Sequence, residues 1–365
     1  MSKYSQRLTR LQSAIRSQGV EAIFISPGPD LRYFTGYDAV PLERLTALVV
    51  QADKDPFVVS PYLEKSAAIA SPIGEMGLEI LTWQETDSPY VKLQQAIGNV
   101  TNYAVDGRMW AEKLINFQTV FTGASSISGT EVISSLRMIK DADEIESLRA
   151  AGKAIDFVHE QVPNFLKAGR SEREIGADIA NAILEAGHKT VDFVIVGSGP
   201  NSASPHHEVS DRIVQNNEMI VVDLGGTMPD GYCSDSTRTY AIGQMSDEYL
   251  HRFEILHTAQ QLATASVKPG VTCESIDAVA RNYMNEHGIG DLFIHRIGHG
   301  IGLETHEHPY MVSGNTNVVK EGYAFSIEPG FYEDGKSGAR IEDIVVCGSD
   351  GAIVLNTRPR ELFVV

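Results

Sequence analysis

The sequence predicts an α+β protein in two parts: a smaller α/β domain over residues 1–130, then a larger domain of helices packed on a mostly antiparallel sheet over residues 131–365. Three observations carry that expectation. Up to about residue 128, short apolar runs alternate with helical stripes. Farther on, two strand–turn–strand segments each hold a pair of acids, about a hundred residues apart. Between them sits a stretch dense in glycine and histidine. A length of 365 residues is also long for one ordinary domain and suits two.

In the first part, Leu8, Leu11 and Ile15 make a helical stripe closed by Gly19, and residues 22–26 read as a short buried strand. Strands over 48–50 and 57–60 flank the polar turn Asp53-Lys54-Asp55. A helix over 63–69, a strand over 78–83, a helix over 91–97 and a strand over 103–106 continue the rhythm. No catalytic constellation falls in this half.

In the second part, Ile145, Leu148, Ala151 and Ile155 give one helix a single apolar face. Ser171 with Glu174 is a capping box that opens a helix running to about Ala186. The Gly and Pro density of Gly197-Ser-Gly-Pro-Asn-Ser-Ala-Ser-Pro-His206-His207 marks a loop. Two more helices fall near 249–266 and 275–286.

The chain is organised around residues 219–347. Met219-Ile-Val-Val-Asp223-Leu-Gly-Gly226 leads to Gly231-Tyr-Cys-Ser-Asp235-Ser-Thr-Arg-Thr239. The same grammar returns as Tyr323-Ala-Phe-Ser-Ile-Glu328-Pro-Gly330 and Gly338-Ala-Arg-Ile-Glu342-Asp-Ile-Val-Val346. Each acid pair reads as a β-hairpin with one carboxylate on each strand. Taken singly, an acid at a strand end is more often a turn or cap residue. Four converging carboxylates, however, repel one another unless cations lie between them, and two divalent cations cancel four such charges.

Between the pairs lies His295-Arg-Ile-Gly-His299-Gly-Ile-Gly-Leu-Glu-Thr-His306. Glycine costs about 1 kcal/mol in a helix interior, so this is an extended or looped segment and not the helical histidine pair of zinc peptidases. Strand alternation puts Arg340 on the face of Glu342. Its fork suits a carboxylate, either a substrate C-terminus or the metal-ligand acids. Arg238 and Asp343 face the other way and read as structural.

At these residues the chain resembles the creatinase, prolidase and methionine aminopeptidase superfamily of pita-bread metallopeptidases, and within it the Xaa-Pro-cleaving branch. The resemblance covers essentially the whole chain. Asp30-Leu-Arg-Tyr-Phe-Thr-Gly-Tyr37 is similar to a signature of the family's N-terminal domain, and residues 132–146 to its linker into the first catalytic helix. The implied fold is a C-terminal pita-bread domain behind an N-terminal domain that contributes to a homodimer and narrows the active-site entrance.

The family's metal ligands, Asp, Asp, His, Glu and Glu, match Asp223, Asp235, His299, Glu328 and Glu342 without substitution. The resemblance implies that Asp223 binds one ion, His299 and Glu328 the other, and that Asp235 and Glu342 bridge both. His206 matches a substrate-side histidine, with its neighbour His207 as the other candidate, and His295 and His306 match the two non-ligand histidines flanking His299. The implied catalytic set is thus His206, His295, His306, Glu328 and Arg340. Two ions about 3.5–4 Å apart lower the pKa of a shared water towards neutrality. The carbonyl it attacks is polarised by a metal and by His206 or His306, and Glu328 carries the proton. An oxygen-rich shell with one imidazole favours Mn2+, Co2+ or Fe2+ over a thiolate-type zinc site. Manganese is the expected ion, and cobalt, iron or zinc are the other candidates.

The implied reaction is hydrolysis of Xaa-Pro dipeptides, the work of a prolidase. The alternative is an aminopeptidase P, which removes the residue before proline from longer peptides. Compact length and Arg340 as a carboxylate clamp tilt the choice to the dipeptidase, although aminopeptidase P keeps an equivalent arginine. Methionine aminopeptidases usually lack the N-terminal domain, and creatinase works without metals. A pita-bread module that binds peptides without cleaving them is the reading from another class, and five intact ligands weigh against it.

Composition bounds the rest. A formal charge of −18 argues against nucleic acid as a partner, because phosphate binding needs a basic surface. No apolar run approaches the length of a membrane span, and Met1-Ser-Lys-Tyr-Ser-Gln-Arg7 lacks a signal core. Cys233, Cys273 and Cys347 form neither a metal spacing nor an even disulfide set, which suits a reducing cytoplasm. They read as packing residues. The expected partners are short proline-containing peptides and a second copy of the chain.

Overall fold

The short β-branched runs of the first half become one mixed sheet. In the computed structural model, which describes residues 2–365, they are β1 (Ala22–Ile25), β2 (Ala47–Gln51), β3 (Phe57–Pro61), β4 (Glu79–Trp83), β5 (Asn102–Val105) and β6 (Ser125–Ser128). The order is β4-β3-β2-β1-β5-β6, with β2 antiparallel to both neighbours and the remaining pairs parallel. Helices α1 (Lys3–Ser17), α2 (Pro29–Thr35), α3 (Lys65–Ala70), α4 (Pro72–Met76), α5 (Pro89–Ile97), α6 (Ala111–Val120) and α7 (Thr130–Arg137) complete this unit.

Ser2 caps α1 by accepting from the Ser5 N–H, Leu8, Leu11 and Ile15 bury its apolar stripe, and Gly19 leaves it with φ +69°. In the core, Phe24 of β1 stacks on Phe117 of α6 at 4.6 Å, with Tyr103 and Phe121 around them. Fully burying such a side chain contributes about 1.5–3 kcal/mol.

The structure departs from the sequence expectation in several places. The helix expected over 63–69 is a 3-10 turn and α3, and α4 follows, because Ser71 caps a new start and Pro72 cannot continue the old one. The helices α2, α6 and α7 were not anticipated: α2 has too few residues to show a repeat, and α7 occupies the expected linker. Val132 and Ile133 of α7 are buried, and Arg137 pairs with Asp30 at 2.5 Å. The unit consequently runs to Arg137, where the sequence placed the division at residue 130.

The second unit runs from Met138 to Val365. Its helices are α8 (Ala142–Phe165), α9 (Glu172–Glu185), α10 (Asp247–Ser266) and α11 (Cys273–Glu286). The Ser171–Glu174 capping box closes in both directions, and a second box joins Asp141 and Glu144 at the start of α8. Ile155, Val158 and Ile179 from α8 and α9 bury against Val196, Ile220 and Val222 of the sheet beneath. That sheet contains β7 (Thr190–Ser198), β8 (Glu218–Thr227), β9 (Cys233–Ile242) and β17 (Phe363–Val364), in the order β17-β9-β8-β7. Gly197 and Ser198, expected in a loop, still pair with Val221 and Ile220, so the loop starts at Gly199.

The first acid hairpin is regular: β8 and β9 pair without a break from Glu218↔Ile242 to Thr227↔Cys233. The second is not. β12 (Ala324–Ile327) pairs with β15 (Asp343–Cys347), whereas β13 (Gly330–Glu333) and β14 (Ser337–Arg340) form a separate ribbon. The ladder breaks at Glu328-Pro329 and Ile341-Glu342. Pro329 has no N–H to contribute, and the Glu342 N–H turns away to the Thr237 carbonyl of β9 at 3.1 Å. That bond stitches the two halves where the four acids lie. The larger sheet is completed by β10 (Gly298–Gly300), β11 (Glu307–Met311) and β16 (Ala352–Val354), in the order β11-β10-β12-β15-β16. No helix among the described residues is long and apolar enough to cross a membrane.

Candidate metal centre

Asp223 stands on β8 opposite Thr237, and Asp235 on β9 opposite Gly225, which makes the two acids diagonal neighbours on one face. Glu328 and Glu342 occupy the two breaks of the second hairpin. His299 is the middle residue of β10, and its flanking glycines let neighbouring backbone close in: a Cβ on Gly298 would lie 1.9 Å from the Ser326 carbonyl oxygen, and one on Gly300 2.2 Å from that of His308. Three groups of side chains overlap here: Asp223, Asp235 and Glu342; His299, Glu328 and Glu342; Asp235, His299 and His306. In each group, one donor atom per residue lies within 4.8 Å of the others. The structure thus brings all five expected ligands, and His306, to one point.

The atoms meeting there are acceptors facing acceptors. His299 Nδ1 lies 3.1 Å from the Gly300 carbonyl, which can only accept, so Nδ1 carries the hydrogen. Its Nε2 lone pair then faces Glu328 Oε1 at 3.2 Å and Asp235 Oδ2 at 3.5 Å. Burial, with His306 and Arg296 adding to it, holds His299 well below the usual imidazole range, which keeps that lone pair free. Asp223 Oδ1 and Glu342 Oε1 are buried without a hydrogen-bond partner among the described residues. Burial first, then the neighbouring carboxylates, pushes Asp235 and Glu342 well above the usual carboxylate range. Burial also carries Glu328 up to about 7, with Arg340 opposing and Asp223 reinforcing the rise. Orphaned buried oxygens and an imidazole lone pair directed at carboxylates fit divalent cations between them.

A fixed frame backs each acid. Arg340, nearly fully buried, donates from Nη2 to Asp223 Oδ2 at 2.6 Å, from Nη1 to the Tyr332 hydroxyl at 2.8 Å and from Nε to Thr237 Oγ1 at 3.0 Å. Thr237 passes its hydroxyl hydrogen to Glu342 Oε2 at 2.8 Å, and Ser326 gives its own to Glu328 Oε1 at 2.9 Å. Of the two carboxylate roles open to Arg340, the structure therefore places it on the acid of the cluster. His295 completes the frame. Its Nδ1–H reaches the Arg296 carbonyl at 2.7 Å, and its Nε2 accepts from Tyr332 Oη at 2.9 Å. Burial, helped by Arg340, keeps this ring neutral, with its pKa near 3. With both nitrogens engaged, His295 orients Tyr332 and Arg340.

His206 and His306 are exposed. Arg296 Nη2 lies 3.4 Å from His306 Nδ1, and because a guanidinium only donates, the neutral His306 ring carries its hydrogen on Nε2. His207, the other loop candidate, is an anchor: its Nε2 bonds Glu172 Oε2 at 2.7 Å. Glu172 is fully buried at the start of α9 and gathers the whole loop, accepting also from Ser198, Asn201 and Ser210. Burial raises its carboxyl, but the hydrogen bonds from Ser198, Ser210 and His207 outweigh that and hold it low. Arg340 pins the same loop through the Pro205 carbonyl at 3.3 Å, directly before His206. Glu172→Gln points amide hydrogens at donors. It is expected to cost about 1–3 kcal/mol of stability and, by displacing His206, to lower kcat/KM by up to about 100-fold. Metal content measured by elemental analysis is expected to stay at the native level.

The opposite-face residues are structural, as alternation indicates: Arg238 and Asp343 form a fully buried pair at 2.7 Å. The three cysteines are buried thiols, each raised to about 11 by burial. Sequence reasoning missed Glu172, Thr237, Tyr332 and Arg296. Thr237 was accessible to it, two residues from Asp235 and on the same face. Glu172 and Tyr332 carry no local signal, since their partners are distant in the chain.

Comparison with known proteins agrees with this architecture. Residues 146–349 match the model of metallopeptidase family M24, and residues 7–139 that of the creatinase/prolidase N-terminal domain. The chain is 46% identical over 363 residues to the probable dipeptidase PepE of Mycobacterium tuberculosis, covering 99% of this chain and 96% of that one. It is 37% identical over 355 residues to the Xaa-Pro dipeptidase of Lactobacillus helveticus, covering 94% and 95%. The crystal structure of dipeptidase PepE from Mycobacterium ulcerans superposes with a TM-score of 0.96 at 45% identity, covering 100% of this chain and 98% of that one. The chain belongs to metallopeptidase family M24, with a pita-bread catalytic domain preceded by a creatinase/prolidase N-terminal domain.

Proposed function

We propose that the protein is an Xaa-Pro dipeptidase, cleaving the bond before proline in dipeptides with two divalent cations per chain. The observation that carries this reading is the convergence of Asp223, Asp235, His299, Glu328 and Glu342, with Asp223 Oδ1 and Glu342 Oε1 buried and unpartnered among the described residues. It occurs in a chain similar over nearly its whole length to a named Xaa-Pro dipeptidase.

Asp223 would hold one cation, His299 and Glu328 the other, and Asp235 and Glu342 both. Bound there, the cations supply Lewis acidity and acidify water. Glu328 has Oε1 held by Ser326 and uses Oε2 to take a proton from the attacking water and deliver it to the leaving proline nitrogen. His306 offers Nε2–H to the scissile carbonyl oxygen, and His206 stands ready as a second donor. His295, Tyr332 and Arg340 keep Asp223 and the His206 loop in place. Manganese is the ion we expect, with cobalt, iron or zinc as substitutes. The three buried unpaired thiols fit a reducing cytoplasm, and a homodimer is the expected assembly.

The test is hydrolysis of Ala-Pro beside Ala-Pro-Ala by the manganese-loaded protein. The dipeptide is expected to be the better substrate. Preference for the tripeptide identifies an aminopeptidase P, and cleavage of neither removes the Xaa-Pro reading.

A further inference from the structure

At Glu342 the second hairpin has no ladder of its own, and buried backbone groups must find partners elsewhere. Arg238 supplies one. Its five N–H hydrogens meet five acceptors. Nη1 donates to the Glu342 carbonyl at 2.6 Å and to the Thr237 carbonyl at 2.9 Å. Nη2 reaches Asp343 Oδ1 and the Arg358 carbonyl, each at 2.7 Å, and Nε the Pro359 carbonyl at 2.9 Å. Glu342 is then held at three points: its carbonyl by Arg238, its N–H by the Thr237 carbonyl at 3.1 Å, and its Oε2 by Thr237 Oγ1 at 2.8 Å. Only Oε1 is left over, in the acid and histidine cluster.

Arg238 is in turn placed by the end of the chain. The carbonyls of Arg358 and Pro359 belong to the irregular segment between β16 and β17. Asp156 of α8 anchors that segment. It accepts from Asn356 Nδ2 at 3.2 Å, from the Thr357 N–H, from the Thr357 hydroxyl at 3.0 Å and from the Arg358 N–H at 3.2 Å. Asn356 Oδ1 also takes the Ile344 N–H at 2.8 Å, two residues beyond Glu342. Asp343 Oδ2 accepts from Arg360 and, at 3.0 Å, from Gln260 of α10. A buried guanidinium with every hydrogen directed has one favourable orientation. Shifting the segment leaves two of its donors unmatched, and the Glu342 backbone moves with the arginine.

We infer that Arg238, fixed by the C-terminal segment 356–360, is a positioning residue that sets Glu342 where two cations can share its carboxylate. The end of the chain thereby governs metal affinity without touching the metal site. This rests on the two-cation part of the reading above.

The test is titration of the metal-free protein with manganese, reading free Mn2+ by EPR, on native protein, Arg238→Lys, Asp156→Ala and Glu172→Gln. In the first two variants the weaker of the two manganese dissociation constants is expected to rise by about 10–100-fold, the usual effect of losing a group that orients a metal ligand. At saturating manganese, low-temperature EPR is expected to show a magnetically coupled ion pair in native protein and a larger share of isolated-ion signal in these variants. Glu172→Gln destabilises the same unit away from Glu342 and keeps native constants, a contrast that a merely structural role would not produce. Should Arg238→Lys not fold, Asp156→Ala decides, since it leaves Arg238 in place. Native constants in both variants, or equal losses in all three, overturn the assignment. An effect in Arg238→Lys alone overturns the role of the C-terminal segment. A native protein that binds two ions but cleaves neither peptide leaves this inference standing and removes the Xaa-Pro reading, whereas one that binds no manganese takes down both.

Discussion

Glu328→Gln is expected to lower kcat for Ala-Pro by about 100–10,000-fold, the range spanned by loss of a general acid–base group, while the protein stays folded. The substitution keeps the side-chain volume, so no cavity forms. Ser326 Oγ can still donate to the amide oxygen, and the Glu328 N–H bond to the Ile297 carbonyl at 2.8 Å belongs to the backbone and persists. What disappears is the charge that takes the proton and faces the His299 lone pair. Removing one of several mutually repelling carboxylates relieves strain in the metal-free protein, so its melting temperature is expected to equal or exceed that of the native metal-free form. Steady-state kinetics with both melting curves checks this. A variant retaining a tenth of native kcat would remove Glu328 from proton transfer.

Chelation is expected to have the second large effect. Stripping the protein with EDTA abolishes hydrolysis, and manganese restores it with two ions per chain by elemental analysis. Stability follows the same ions. A ligand present at 100 times its Kd adds about 2.7 kcal/mol to the bound fold, and at about 2–4 °C per kcal/mol for a domain of this size the melting temperature rises by about 5–10 °C. The physical source is the set of buried acceptors, Asp223 Oδ1 and Glu342 Oε1 among them, which cations complete. Asp235→Asn is expected to shrink both the shift and the stoichiometry, because that acid belongs to two of the three donor groups. A melting temperature and activity indifferent to EDTA would mean that the cluster holds no metal.

Much of this arrangement could be read from the chain itself. Strand alternation placed Arg340 on the face of Glu342 and turned Arg238 and Asp343 away, and glycines at 298 and 300 ruled out a helix around His299. Both are short-range properties: a strand's period and a glycine's steric allowance act within a few residues. The family resemblance rested on these same segments and carried the two-domain organisation with it.

What tertiary structure decided is which partner each polar side chain meets. Sequence spacing left Arg340 with two carboxylates to serve, and Asp223, 117 positions away, settles it by direct contact. His206 and His207 are adjacent and chemically alike, yet Glu172, 35 positions before His207, takes that ring and leaves His206 free at the loop end. The second hairpin divides at Glu328 and Glu342 because the Glu342 N–H finds the Thr237 carbonyl on another sheet, a bond that no local pattern encodes. A side chain's face follows from its neighbours in sequence, but its hydrogen-bond partner follows from desolvation. Buried polar atoms must be satisfied by whatever the fold brings near, and only the folded chain determines what that is.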